Sequence, residues 1–342
     1  MTKWMNYGLS AIYLLLVFAF IGLEVVPAEQ WEKIWTKERV ELIETAIIWS
    51  TALLGALLAV FIIIGQQTNR SRASADWTEA LEDKSAGRNG IKLANGHAQH
   101  IGAREEQQDA FCFSAVDDSE AIDRYGVLAV LADGMGGFAM GREASRLAVQ
   151  TQLLEYTAKS AEEPVPAALE RALHQANKEV YELAKRHELE WSVGTTLIAA
   201  VIRQDQLYWI SAGDSRIYLY RGGVLIPLTR DHVYANRLYE RVKAGELTME
   251  EAESHPERHL LTSYLGIPQL VEIDANQTPF RLHPGDWILL CSDGLYDELS
   301  EPLLEEAVHL SPQHAAEYIM RHVLALQKRY QDNATIMIFA CT

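Results

Sequence analysis

Hydrophobic residues are concentrated in two uncharged runs near the start of the chain. Residues 5–23 form an uncharged stretch of 19 residues, and residues 45–65 form another of 21. A membrane-spanning helix needs about 20 predominantly apolar residues. We therefore predict two transmembrane helices, at about 5–23 and 45–65, that make residues 1–65 a membrane anchor. A signal peptide cleaved after Ala28 is the alternative interpretation of the first run.

The charges that flank the second run predict the orientation of this hairpin. Arg70 and Arg72 follow it closely, whereas the connector at residues 24–44 carries both signs. Because positively charged flanks stay in the cytoplasm, both ends of the hairpin are expected there. The polar residues 66–90 are then a cytoplasmic linker. We expect a multi-pass protein of the plasma membrane or a cell inner membrane, with the large domain in the cytoplasm.

From residue 91 to the end, the pattern changes to short apolar runs of the kind that form buried strands. Tight turns join several of these runs, so consecutive strands are expected to pair antiparallel. The predicted strands are 127–132, 195–203, 206–212, 216–220, 224–228, 271–273, 287–291 and 334–340.

Helical periodicity interrupts the strands in two blocks, which indicates an α+β protein with helices packed on a sheet. In the segment 167–186, apolar residues recur at spacings of three and four, as on a helix with one buried face. The predicted helices are 143–158, 167–186, 302–310 and 312–330. The charged segment 231–266 is predicted to be a largely helical insertion over the sheet.

Charge and cysteine content exclude several classes of protein. The formal net charge of −17 argues against a nucleic-acid partner. Cys112, Cys291 and Cys341 lack the spacing of disulfides or zinc sites. Cys291 is best interpreted as a small buried hydrophobe, because no phosphate-cradling loop with a trailing arginine follows it. The histidines lack ligand-like spacing and are mostly expected at the surface: His232, His255, His259 and His283.

Four aspartates each lie beside a predicted strand: Asp133, Asp214, Asp293 and Asp332. Alone, an Asp-Gly pair is more often a turn than a ligand. Carboxylates gathered at strand ends would repel one another without a cation, so the set indicates a metal site. Oxygen ligands favour Mg²⁺ or Mn²⁺ over zinc or copper.

Such a site is suited to hydrolysis of a phosphate ester. Two divalent ions that share a carboxylate can lower the pKa of a shared water and align it with phosphorus. Asp133 is the best bridging candidate, the Gly134 carbonyl would reach the second ion, and Asp293 with Asp332 would complete the first. Arg104 is the leading phosphate ligand, because a guanidinium binds two phosphate oxygens in one plane.

Two further expectations concern the segment around Arg104. The alternative to a phosphate ligand is a surface arginine paired with Glu105 or Glu106. Asp109, at the end of the same motif, is expected to hold metal-bound water rather than to contact a metal.

Six motifs occur in one order along the chain. They are Arg-Glu-Glu-Gln-Gln-Asp (104–109), Asp-Gly-Met-Gly-Gly (133–137), Gly-Thr-Thr (194–196), Gly-Asp-Ser-Arg (213–216), Ser-Asp-Gly (292–294) and Asp-Asn (332–333). In these motifs residues 91–342 resemble the metal-dependent serine/threonine protein phosphatases of type 2C (PPM), in their bacterial form. The resemblance implies an αββα sandwich of two antiparallel sheets flanked by helix pairs, with the metals at one end.

The same resemblance implies roles for particular residues. Asp133 would bridge two metals, Asp293 and Asp332 would bind the first, and Gly134 the second. Asp214 would bind, with Asp293, the third metal of bacterial members. The segment 231–266 matches the family's mobile flap, and we refer to it below as the flap.

Three positions depart from the family pattern. Met135 stands where eukaryotic members carry a histidine thought to protonate the leaving group. Gln107 replaces the usual asparagine, and Val233 replaces a serine common in bacterial members. No core metal ligand is lost through these changes.

We therefore predict a membrane-anchored enzyme that removes phosphate from serine or threonine of phosphorylated proteins. A partner serine/threonine kinase is an expectation from the family, and the oligomeric state stays open. Two alternatives remain: a phosphoprotein-binding signalling module without turnover, and a membrane scaffold with an incidental catalytic domain.

Overall fold

The computed structural model describes residues 91–114, 119–135 and 140–342. The predicted membrane anchor (1–65) and linker (66–90) lie outside these residues. Within the described part of the chain, no helix combines the length and hydrophobicity needed to cross a membrane.

One antiparallel sheet has the strand order β1-β12-β11-β7-β8. Its strands are β1 (Leu93–His100), β7 (Arg216–Arg221), β8 (Val224–Pro227), β11 (Trp287–Cys291) and β12 (Ala334–Cys341). The central strands β11 and β12 are buried along their whole length, which explains why both sequences are almost continuously apolar rather than alternating.

The second sheet has the path β10-β6-β5-β3-β2, with β4 paired to β3 and β9 to β6. Its strands are β2 (Asp109–Phe113), β3 (Val127–Met135), β4 (Gly194–Thr195), β5 (Leu197–Arg203), β6 (Gln206–Ala212), β9 (Asp274–Ala275) and β10 (Phe280–Arg281). The strand pairings of this sheet are antiparallel throughout the described residues, as the short turns predict.

The helices of the described residues pack on the outer faces of the two sheets, lie within the flap or connect strands. They are α1 (Ser119–Tyr125), α2 (Met140–Thr157), α3 (Val165–Arg186), α4 (Tyr234–Lys243), α5 (Met249–Glu253), α6 (Asp293–Tyr296), α7 (Glu301–Ala307) and α8 (Pro312–Ala325). The stripe predicted on α3 is buried against the second sheet, for example at Leu169, Leu173 and Val180.

Three apolar cores arrange these elements in four layers. One core joins α2 and α3 to the second sheet, one joins α7 and α8 to the first sheet, and the third lies between the two sheets. Side chains that alternate along β3 divide between two cores, since Leu128 and Val130 face the helices while Ala129 and Leu131 face the other sheet. The predicted sandwich of two antiparallel sheets flanked by helices is confirmed.

The structure corrects two of the predicted strands. Residues 195–203 are not one strand, because β4 ends at Thr195 and β5 begins at Leu197. The strand predicted at 271–273 is wrong: Val271 is exposed, and the pairing with β6 is made instead by β9 (Asp274–Ala275). Apolar residues alone cannot distinguish a strand from a loop that crosses a sheet edge.

Candidate active site

The centre of the site is Asp133, and two threonines hold its backbone. The Asp133 N–H donates to Thr196 Oγ1 at 2.9 Å, while the Asp133 carbonyl accepts from Thr195 Oγ1 at 2.8 Å. The Thr196 N–H donates to the same carbonyl at 2.9 Å. The break between β4 and β5 therefore serves the site, because it turns both threonines onto the strand that carries Asp133.

Two glycines next to aspartates are required by close backbone approach. A methyl group on Gly134 would lie 2.1 Å from the Gly141 carbonyl oxygen, and one on Gly294 would lie 2.1 Å from the Asn333 carbonyl oxygen. Neither position has room for a side chain, since real Cβ contacts are far longer. The Asp-Gly pairs are thus packing constraints as well as turn signals.

The predicted site residues gather around one cavity of roughly 820 Å³. It is lined by Arg104, Glu105, Glu106, Gln108, Asp133, Gly134, Met135, Thr196, Asp214, Leu261, Asp293, Asp332 and Asn333. The five predicted metal ligands and the predicted phosphate ligand are all among them. Residues from widely separated parts of the chain are therefore brought to one end of the sandwich.

The carboxylates of the cavity disfavour one another's ionisation. The pKa of Asp133 lies well above its ordinary value because of burial and then the charges of Asp109 and Asp293. Burial, followed by the charge of Asp293, raises the pKa of Asp214 to about 7. Burial and the neighbouring Asp332 raise the pKa of Asp293. A cation would reverse this cost by compensating the shared negative charge.

The donor set fits a hard divalent cation, although the ligands are not already closed around one. Asp293 Oδ1 is buried and has no hydrogen-bond partner, so an oxygen ligand is left unsatisfied at the site. Among the described residues, no group of three or more His, Cys, Asp or Glu side chains is already placed to hold a metal ion.

Arg104 contacts a predicted metal ligand rather than its acidic neighbours. Its NH2 group lies 2.6 Å from Asp332 Oδ2, and both side chains are partly exposed. The alternative pairing with Glu105 or Glu106 is not what the structure places there.

Asp109 lies behind the cavity and does not line it. It pairs with Asp133 across β2 and β3. Its Oδ2 accepts hydrogen bonds from Thr335 Oγ1 at 2.6 Å and Ser292 Oγ at 2.8 Å, while its buried Oδ1 has no partner. Burial outweighs the two hydroxyl donors and raises the pKa of Asp109 to about 6.

Asn333 fixes the loop that carries Arg104, a role that sequence reasoning missed. Its Oδ1 accepts from the Gln108 N–H at 2.7 Å, and its Nδ2 donates to the carbonyls of Ile101 at 2.7 Å and Glu106 at 3.0 Å. The Asp-Asn motif was a signal for this position, but only the aspartate has an obvious chemical role in a sequence.

The flap begins beside Asp214. His232 is buried, and its Nδ1 accepts the Gly213 N–H at 3.0 Å; it is an exception to the expectation that most of the four histidines lie at the surface. Arg216 makes a bidentate contact with Asp231 and lies 3.6 Å from the centre of the Tyr296 ring. The start of the flap is thereby tied to the loop that carries Asp214.

Cys291 is buried in β11, as predicted for a structural residue. Burial raises the pKa of its thiol far above the ordinary value. A nucleophilic role is disfavoured, because the thiolate is the reactive form.

Comparisons with known proteins agree with this arrangement. The protein phosphatase 2C family model matches residues 97–327, more than half of the chain. The serine/threonine phosphatase stp of Listeria monocytogenes is 37% identical over 183 residues, which are 52% of this chain and 70% of that protein. The serine/threonine phosphatase PstP/Ppp of Mycobacterium tuberculosis superposes with a TM-score of 0.59 at 30% identity, covering 73% of this chain and 98% of that structure.

A further related structure contains manganese. The catalytic domain of serine/threonine protein phosphatase PstP in complex with two manganese ions has a TM-score of 0.58 at 27% identity, over 74% of this chain and all of that one. The family match, the shared fold and the cavity that brings the predicted site residues together lead to one conclusion. This chain belongs to the protein phosphatase 2C family of metal-dependent serine/threonine protein phosphatases.

Proposed function

We propose that this chain hydrolyses phosphoserine and phosphothreonine on proteins with two Mn²⁺ or Mg²⁺ ions, with a third ion at Asp214 and Asp293. The observation that carries the proposal is the single cavity shared by Arg104 and the aspartates Asp133, Asp293 and Asp332. The manganese ions in the related PstP structure support the choice of metal. When bound, such ions act as Lewis acids toward phosphate oxygens and activate water.

Each residue of the cavity would have its own role in holding the cations. Asp133, Asp293 and Asp332 would bind the cations through carboxylate oxygens, and the Gly134 carbonyl would add a ligand from the strand itself. Thr195 and Thr196 keep Asp133 in place through its backbone.

Arg104 would bind the phosphate of the substrate. In the structure its guanidinium is held by Asp332 at 2.6 Å. A cation on Asp332 would compete for that carboxylate and leave the guanidinium available for two phosphate oxygens. Arg104 is well suited to such an exchange, because exposed ion pairs contribute only about 0–1 kcal/mol.

Asp109 would act from behind the cations. Its hydrogen bonds to Ser292 and Thr335 fix one carboxylate oxygen, and the other oxygen is free to accept from water near Asp133. Met135 lines the cavity where a histidine acid would stand in eukaryotic members, so a water molecule would protonate the leaving oxygen.

We further propose that the reaction takes place at the cytoplasmic face of a membrane, on phosphoproteins made by a partner kinase. The apolar runs at 5–23 and 45–65 and the arginines after them support this location. A phosphoprotein-binding module without turnover is disfavoured, because degraded metal ligands would be expected there.

The test is manganese-dependent phosphate release from a phosphothreonine peptide by the full chain. Asp133→Asn and Asp293→Asn should each lower kcat by at least about a hundredfold, since each removes a ligand of the catalytic ions. Asp205→Asn is the matched control: it removes a carboxylate that pairs with Arg281 at the other end of β6. Thermal melts should show that all variants are folded.

Turnover that is lost in both cavity variants and kept in Asp205→Asn would support the proposal. If the folded, manganese-loaded protein binds phosphopeptide without releasing phosphate, the chain is a binding module and the proposal that it is an enzyme is refuted.

A further inference from the structure

The wall of the cavity beside Arg104 carries two glutamates that the catalytic chemistry does not use. Glu105 and Glu106 follow the predicted phosphate ligand directly, and both line the cavity. Since consecutive Cα atoms are about 3.8 Å apart, both glutamates lie next to the position at which Arg104 would hold a substrate phosphate.

Neither glutamate is neutralised by a strong partner. Within the described part of the chain no ion pair involves Glu105, and Arg104 is turned away to Asp332. Glu106 has Arg142 at 3.9 Å from its Oε1, which is close to the limit for an ion pair. Its Oε2 is inaccessible to solvent and lacks any hydrogen-bond partner.

The loop that presents them is held rigidly. Asn333 binds the carbonyls of Ile101 and Glu106 and the N–H of Gln108. The Ala103 N–H donates to the Gln331 carbonyl at 2.8 Å. Gly102 has a φ of +68°, and a methyl group there would lie 2.3 Å from the Asp332 carbonyl oxygen. Little conformational freedom therefore remains to be lost when a substrate binds.

Resting on the proposed function, we propose that Glu105 and Glu106 select phosphoproteins with arginine or lysine close to the phosphorylated residue. The cavity aspartates do not supply this selection, because their charge is taken up by the catalytic cations. The two glutamates are not among the predicted metal ligands, and they line the cavity next to Arg104, where residues that flank the phosphorylated one would lie. Arginine and lysine side chains carry only N–H donors, which suit the accessible carboxylate oxygens of these two residues.

The size of the effect follows from the exposure of these groups. Glu105 is exposed and Glu106 is partly exposed, so each contact with a basic residue is expected to change kcat/KM by about twofold to fivefold. The preference should fall as salt is raised from low concentration to about 0.5 M, because exposed charges are screened.

The experiment compares two families of phosphothreonine peptides on the full, manganese-loaded chain. In each peptide one position within three residues of the phosphothreonine is arginine in one family and glutamine in the other. The measured quantity is the ratio of kcat/KM for the arginine and glutamine peptides. It is determined for the unmodified chain, for Glu105→Gln/Glu106→Gln, and for the control Glu170→Gln, which changes an exposed glutamate on α3.

The expected result is a ratio of about twofold to fivefold at one or more positions, which falls to near one in the double variant and is unchanged in Glu170→Gln. Two results would overturn the inference: a ratio near one in the unmodified chain, or a preference that persists in the double variant. Failure of the proposed function looks different, because then neither the peptides nor p-nitrophenyl phosphate would be hydrolysed at all.

Discussion

Asn177 on α3 anchors the C-terminal end of the flap, and its removal should destabilise both the fold and the site. Its Oδ1 accepts the N–H groups of Gly266 at 2.9 Å and Ile267 at 3.3 Å, while its Nδ2 donates to the Ile267 carbonyl at 2.9 Å. Asn177 and Ile267 are both buried. One side chain therefore satisfies three backbone groups where the loop packs against the helix.

The substitution Asn177→Leu keeps the approximate volume and removes all three hydrogen bonds. A buried backbone group left without a partner costs about 1–3 kcal/mol. Because a small loop shift would return some of these groups to water, we expect a loss of about 3 kcal/mol rather than the full sum. For a domain of this size, that corresponds to a fall in Tm of about 6–12 °C.

The assay is urea unfolding of the full chain, followed by the fluorescence of its tryptophans. Gln175→Leu is the matched control, since Gln175 lies on the same helix and its side chain donates a hydrogen bond to Glu179 at 2.8 Å. We expect that control to change the free energy of unfolding by less than about 0.5 kcal/mol. If Asn177→Leu and Gln175→Leu unfold at the same urea concentration, the anchoring role of Asn177 is refuted.

The same substitution should also change metal dependence. The loop that Asn177 holds exchanges hydrogen bonds with β4, since the Thr195 N–H donates to Leu265 and the Leu265 N–H donates back. Thr195 in turn holds the Asp133 carbonyl. A higher manganese requirement in Asn177→Leu, at temperatures where it is folded, is therefore expected.

Two further predictions concern charged groups away from the catalytic cations. Arg221→Met should lower the free energy of unfolding by about 3–5 kcal/mol, because it removes the guanidinium that lies 2.6 Å from the buried Asp286 carboxylate. Arg241→Met breaks an exposed pair and should lower the free energy of unfolding by less than about 1 kcal/mol. Equal losses of the two variants in chemical denaturation would contradict this prediction. Burial lowers the pKa of His232 below 6.5, so its neutral form adds stability that is complete above the unfolded pKa and lost as pH falls through the folded one. Unfolding at pH 7.5 and 5.5 should therefore show a smaller acid destabilisation in His232→Asn, and an identical one would refute the assignment.

The sequence predicted the architecture well where burial leaves a periodic signal. The stripe on α3 and the apolar runs of β3, β11 and β12 were predicted to be buried, and all of them lie in the apolar cores. The aspartates were predicted to meet because each stands beside such a run. The strand predicted at 271–273 was wrong because short apolar segments also occur in loops that are only partly buried.

The site itself was less predictable, because its supports are hydrogen bonds between distant residues. Nothing in the sequence shows that Ser292 and Thr335 share one oxygen of Asp109 across 183 and 226 positions. The partner of Arg104 was equally hidden, since Asp332 lies 228 residues away while two glutamates are adjacent. Proximity in sequence favours the wrong partner when the fold supplies a better one.

These supports explain how the chain tolerates carboxylates that repel one another. Desolvation and mutual charge raise the pKa of Asp133, Asp214 and Asp293, so the cluster destabilises the metal-free protein. It is kept in place by backbone contacts rather than by the carboxylates: Thr195 and Thr196 hold Asp133, and Gly294 packs directly on Asn333. Asp293 Oδ1 has no hydrogen-bond partner and is left available for a cation, whereas Asp332 Oδ2 is held by Arg104. A ligand set that held itself together by internal hydrogen bonds would be more stable without metal and would bind it less tightly, because those bonds would first have to be broken.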